Sequence, residues 1–70
     1  MEIGSTVRLA SDFLRSIGAH VSPDLGRAKG TVVDLIPGPG EAPARAAVLW
    51  ETGAWAGLEK RALVTNLETL

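Results

Sequence analysis

The sequence predicts an all-β fold, a small and strongly curved barrel of about five strands. Its apolar runs are short and rich in β-branched residues, and glycines and prolines separate them. A chain of 70 residues has room for one domain, near the lower size limit for folding alone. Because so small a barrel leaves little space for a catalytic pocket, we expect the chain to act through its surface.

The first strand is expected at residues 6–10, where Val7 and Leu9 alternate with polar or small neighbours and share one face. One or two helical turns are expected at residues 12–17. A Ser-Asp pair at the start can cap the free N–H groups, and Gly18 suits the end. Burial of Phe13, the only phenylalanine, should contribute most of the stability of this segment.

A loop is expected at residues 19–26, because Ser-Pro-Asp has the chemistry of a turn. Residues 27–36 form the longest strand candidate. Gly30 predicts a bulge or sharp bend within it, and one of the adjacent Val32 and Val33 should face the core. Residues 37–43 hold three of the four prolines, which predicts an exposed hairpin tip.

The second half of the chain predicts the remaining strands. Residues 44–50 alternate as a strand that ends on Trp50, whose position favours the core. A short strand is expected at residues 56–60, followed by a 3₁₀ turn at 63–65 and a last strand at 66–69.

Composition and charge narrow the possible functions. Seven Lys and Arg face eight Asp and Glu in a scattered order, so the sequence has no block of positive charge typical of nucleic-acid binding. Without cysteine there is neither a disulfide framework nor a Cys-based zinc site, and no other cofactor is indicated. We see no signal segment or membrane-spanning run, and expect a cytoplasmic protein with no membrane partner.

The order of these elements resembles the SH3-like barrels, and the ending at residues 63–68 resembles their 3₁₀ turn and closing strand. The wider frame is similar to small bacterial and phage proteins of unassigned function, and more loosely to KOW modules. It comprises residues 7–9, 30–33, 48–50 and 66–67. The resemblance implies a five-stranded SH3-like barrel and suggests an accessory protein of a mobile element.

Two departures narrow what this resemblance implies. Peptide-binding SH3 domains use several tyrosines to bind proline-rich ligands, and this chain has none. Trimethoprim-insensitive dihydrofolate reductases are SH3-like barrels that form an active pore from a Val-Gln-Ile-Tyr motif. The corresponding stretch here reads Gly-Leu-Glu-Lys-Arg at residues 57–61. No catalytic constellation is indicated, and the lone His20 is expected to be a solvated loop residue.

The candidate binding residues are Trp55, Lys60, Arg61 and Arg8. Trp55 lies between glycines in a stretch of poor strand character, so its ring could either pack or anchor an interface. We therefore expect a non-catalytic interaction module that acts through its surface on another protein or on a second copy. Self-association would use an exposed strand edge and Trp55. The alternative is a nucleic-acid-binding accessory protein that uses this small basic–aromatic surface.

Overall fold

A computed structural model describes residues 1–18 and 23–70. Within them the chain forms one antiparallel sheet of five strands and three short helical segments, which confirms the all-β class. The elements are β1 (Thr6–Leu9), α1 (Ser11–Ser16), α2 (Pro23–Gly26), β2 (Lys29–Ile36), β3 (Arg45–Thr52), β4 (Glu59–Leu63), a 3₁₀ helix (Val64–Asn66) and β5 (Leu67–Thr69).

The strand order across the sheet is β4-β3-β2-β1-β5, so β4 and β5 are its two outer strands. Only the three residues of the 3₁₀ helix separate them along the chain. In a flat sheet, four spacings of about 4.8 Å would hold outer strands about 19 Å apart. The four peptide steps from Leu63 to Leu67 span at most about 15 Å. The sheet must therefore curl enough to bring Leu63 and Leu67 within that distance.

The core lies on the concave side of this sheet. Val7 and Leu9 are buried on one face of β1, as the alternation predicted. Val32 is 1% exposed whereas its neighbour Val33 is 38% exposed, so Val32 is the one that faces the core. Trp50 is also 1% exposed, which confirms its predicted place in the core. The buried core comprises Val7, Leu9, Ala28, Val32, Ala46, Val48, Trp50 and Leu67.

Gly30 marks the predicted bend in β2. The pairing register between β2 and β3 shifts between Lys29 and Gly30. A Cβ atom at Gly30 would lie 2.6 Å from the carbonyl oxygen of Leu49 and 2.6 Å from a methyl carbon of Val48. The two strands approach so closely here that only glycine fits without displacement of the backbone.

The predicted strand at residues 56–60 was placed too early. Gly53 and Gly57 have φ angles of +87° and +82°, and tight turns occupy the stretch between them. The N–H of Leu58 donates to the carbonyl oxygen of Trp55 at 2.9 Å, which completes the turn. β4 therefore begins at Glu59, and the 3₁₀ helix follows at Val64–Asn66 instead of residues 63–65.

The helical segments also differ from expectation. α1 begins at Ser11, and its N-cap residue is Ala10, with no side-chain cap. The N–H of Ser11 instead donates to the carboxylate of Glu68 at 3.2 Å. Part of the predicted loop forms the short α2, whose first residue is proline, a residue that suits the first helical position. Residues 19–22, including His20, lie outside the described residues.

Candidate functional site

A groove of about 340 Å³ runs beside β4, a volume at the lower end of the roughly 300–1,000 Å³ usual for ligand sites. We call it the basic–aromatic groove. Two aromatic rings and three cations line it: Phe13, Trp55, Arg45, Lys60 and Arg61. The remaining lining residues are Leu9, Ala62, Leu63 and Asn66. The described lining therefore contains positive charge, aromatic and aliphatic surface and one amide, without a carboxylate.

Trp55 joins the groove to the core. Its ring packs edge to face against Trp50, with ring centroids 5.3 Å apart and an angle of 64° between the planes. Trp55 itself is half-buried and lines the groove. The glycine turns on either side place it there. Both interpretations of this tryptophan, packing and surface contact, therefore have a structural basis.

The three cations of the groove come from adjacent strands. β3 and β4 pair so that Arg45 is opposite Leu63 and Arg61 is opposite Ala47. The ammonium nitrogen of Lys60 lies 5.8 Å from the centroid of the Trp55 ring, within the range of a cation–π contact. All three side chains are exposed. None forms an ion pair with an acid in the part of the chain that the structure describes.

Of the four residues singled out from the sequence, three line the groove: Trp55, Lys60 and Arg61. Arg8 is not among the lining residues. It alternates with the buried Val7 and Leu9 on β1 and therefore points to the opposite face of the sheet. Its guanidinium forms an ion pair with Glu68 on the neighbouring β5, at 3.0 Å.

Sequence reasoning missed Phe13 and Arg45 as members of the site. The helical spacing of Phe13 indicated burial, but the side chain is only half-buried, and the spacing did not show which strand it would face. Arg45 reaches the groove because its strand pairs with β4 in one particular register. The sequence indicates that register only weakly. The turn between β3 and β4 contains two glycines, and no residue pattern marks where it begins or ends.

The ion pair of Arg8 supports a prediction about Glu68. Its pKa is lowered from the ordinary value of 4.5, first by the hydrogen bond from the Ser11 N–H and then by Arg8. Ionised Glu68 therefore stabilises the fold above its unfolded-state pKa, and this contribution is lost as pH falls through the lower folded-state pKa. In Arg8→Gln we expect a carbon-detected NMR titration to show the pKa of Glu68 partly raised. An unchanged titration would show that the ion pair does not affect this carboxylate.

The groove lining offers two kinds of chemical group. Its cations can donate charge-assisted hydrogen bonds, and its rings and aliphatic groups offer contact area to an apolar group. Among residues 1–18 and 23–70 no cluster of three or more His, Cys, Asp or Glu could hold a metal ion. Within the same residues, no helix has the length and apolar character needed to cross a bilayer.

Comparison with known proteins found no matching family model, no matching curated protein and no matching solved structure. The resemblance to SH3-like barrels therefore depends on the sequence pattern and stays a prediction.

Proposed function

We propose that this protein is a non-catalytic interaction module that binds an anionic partner through the basic–aromatic groove. The observation that carries this proposal is the lining itself, with Arg45, Lys60 and Arg61 beside two aromatic rings and no carboxylate among the described lining residues. Arg and Trp are enriched among the residues that dominate binding energy at interfaces. A partner with negative charge and some apolar surface would match both parts of this lining.

The excess of positive charge is local to the groove. The whole chain carries a net charge of −1, so its overall field does not attract anions. Outside the groove, Arg8, Arg15 and Arg27 each lie within 4.0 Å of an acidic side chain. The groove cations lack such partners among the described residues, and their charge is available to a ligand.

A second candidate is binding of single-stranded nucleic acid. The contact between Lys60 and the half-buried Trp55 favours it, because bases can stack on aromatic rings while cations neutralise phosphates. Such binding would weaken steeply with salt, as counterions are released from the strand.

The proposal is tested by following tryptophan fluorescence during titration with an acidic peptide and, separately, with a single-stranded oligonucleotide. Lys60→Gln/Arg61→Gln removes two groove charges, and Arg27→Gln/Lys29→Gln is the matched control that removes two charges outside the groove lining. We expect the groove variant to bind about tenfold more weakly or worse, because hydrogen bonds to charged groups are lost. The control should bind like the unmodified protein at the same salt concentration.

Two results would contradict the proposal. One is a fluorescence signal that neither probe changes at low salt, with the chain shown to be folded. The other is equal loss of affinity in both double variants, which would mean that general charge and not the groove attracts the ligand.

We also propose that the curled sheet is an SH3-like barrel. The support is its strand order β4-β3-β2-β1-β5 and the three-residue 3₁₀ helix that joins the two outer strands. In this arrangement the basic–aromatic groove lies where the free side of β4 approaches the end of β1 and α1, since residues of all three elements line it.

A further inference from the structure

We infer that the partner is an acidic, extended peptide segment that pairs with the free edge of β4 as an additional strand. This inference rests on the proposed function and names the ligand class of the same groove. It is carried by the juxtaposition of unpaired backbone groups on β4 with the cations and rings of the groove.

The hydrogen-bond pattern of β4 shows which backbone groups face the free edge. The N–H of Val64 donates to the carbonyl oxygen of Ala44 at 2.9 Å, and the N–H of Trp50 donates to that of Leu58 at 2.9 Å. In an antiparallel ladder, directly bonded pairs alternate with unbonded ones. Residues 58, 60, 62 and 64 therefore bond to β3, whereas 59, 61 and 63 direct their backbone groups away from it.

Those outward groups have no other partner in the part of the chain that the structure describes. β4 is an outer strand and pairs only with β3. The N–H and carbonyl of Arg61 and the N–H of Leu63 make none of the hydrogen bonds found outside the strand ladders and helices. Such a row of free groups is a template for another extended chain.

The groove follows this edge. Lys60, Arg61, Ala62 and Leu63 are consecutive, and all four line it. Neighbouring side chains of a strand point to opposite faces, so a groove on one face would be lined by alternate residues only. A run of four indicates that the groove runs along the strand edge and gives access to its backbone.

The side chains beside the edge specify the sequence of the added strand. Lys60 and Ala62 lie opposite the buried Val48 and Ala46, on the core face with the rings of the groove. Arg61 projects from the other face. Glu59 shares the face of Arg61. An added strand would therefore place an acidic side chain opposite Arg61, away from Glu59, and apolar ones toward Phe13 and Trp55. The expected ligand alternates acidic and apolar residues.

Other occupants fit this edge less well. Two copies paired symmetrically about Arg61 would set two like cations directly opposite each other, which is unfavourable. A phosphodiester backbone could accept a hydrogen bond from the Arg61 N–H, but it offers no donor to the Arg61 carbonyl. A peptide backbone supplies both groups at the spacing of a strand.

The experiment measures affinity for a peptide of alternating Glu and Val by tryptophan fluorescence. Two further peptides carry N-methyl groups, one on the Glu amides and one on the Val amides, and a fourth has the same composition in block order. In an extended peptide, alternate residues direct their N–H groups to opposite edges, and only one edge can pair with β4. Only one methylated peptide should therefore lose affinity, by about tenfold or more. The block peptide should also bind more weakly. Exchange of the Arg61 amide hydrogen should slow when the alternating peptide binds.

The remaining outcomes distinguish failure of this inference from failure of the proposed function. If both methylated peptides bind as tightly as the parent, strand pairing is wrong, while groove binding of an anion stands. If only an oligonucleotide binds, or the Arg61 amide is protected by concentration-dependent self-association, the peptide inference is overturned in favour of that occupant. If no anionic probe binds, the proposed function itself fails.

Discussion

Trp50→Ala is expected to leave the chain largely unfolded at 25 °C. The side chain is 1% exposed and is the largest in the buried core. Truncation of a buried Trp to Ala costs about 3–5 kcal/mol. A single core in a domain of this size contributes only about 3–5 kcal/mol of net stability. Trp55 would also lose the ring against which it packs, and the groove would lose its support. Circular dichroism and urea unfolding measure the effect.

The matched comparison is Trp50→Phe, which keeps an aromatic ring in the core and should remain folded with reduced stability. A folded Trp50→Ala variant whose urea midpoint equals that of the unmodified chain would contradict the central position of Trp50.

Gly30→Ala is expected to give the second-largest loss, about 1–3 kcal/mol of unfolding free energy. The added methyl group would lie 2.6 Å from the Leu49 carbonyl oxygen and 2.9 Å from the Trp50 Cα atom, both backbone atoms that cannot rotate away. β2 would have to separate from β3 at the bend, where their contact shapes the sheet. Urea unfolding followed by tryptophan fluorescence measures the change.

Gly26→Ala provides the control for this substitution. A Cβ atom there has no neighbour within 4 Å, and the residue lies in the short helix α2. We expect its stability to be unchanged or slightly raised, because alanine restricts the unfolded chain more than glycine does. Equal losses in both variants would mean that the close approach at Gly30 is not the cause.

Much of the fold could be predicted from local patterns. Alternation placed the buried residues of β1 correctly, and the run from Gly30 indicated both a long strand and its bend. The proline-rich stretch at residues 37–43 connects β2 and β3 as a hairpin, as expected. These features were predictable because each depends on the period of a single strand or on backbone restrictions of Gly and Pro.

The incorrect predictions concern features that depend on contacts between residues far apart in the sequence. The start of β4 depends on the turn that holds Trp55 against Trp50, a contact that no local pattern shows. Arg8 was grouped with Lys60 and Arg61 because all are basic. Strand pairing instead sets Arg8 beside Glu68, 60 residues away. The groove also needs Phe13 from α1, which only the curl of the sheet brings toward β4.

The charges on β4 also bear on its behaviour as an edge strand. Lys and Arg on an outer strand oppose uncontrolled pairing with other chains. The same charges would favour pairing with an acidic strand. The basic side chains of β4 would therefore disfavour most partner strands and select acidic ones. The loss of Lys60 and Arg61 is therefore expected to weaken ligand binding without disturbing the core, since both side chains are exposed.

The most direct test of the account is a map of NMR amide shifts in the folded protein during titration with the alternating Glu-Val peptide. We expect the largest changes at Lys60–Leu63, at Phe13 and Asn66, and at the indole N–H of Trp55, all of which belong to the basic–aromatic groove. Changes centred instead on the exposed Val33 and Leu49 of the outer sheet surface, or no changes at all, would contradict it.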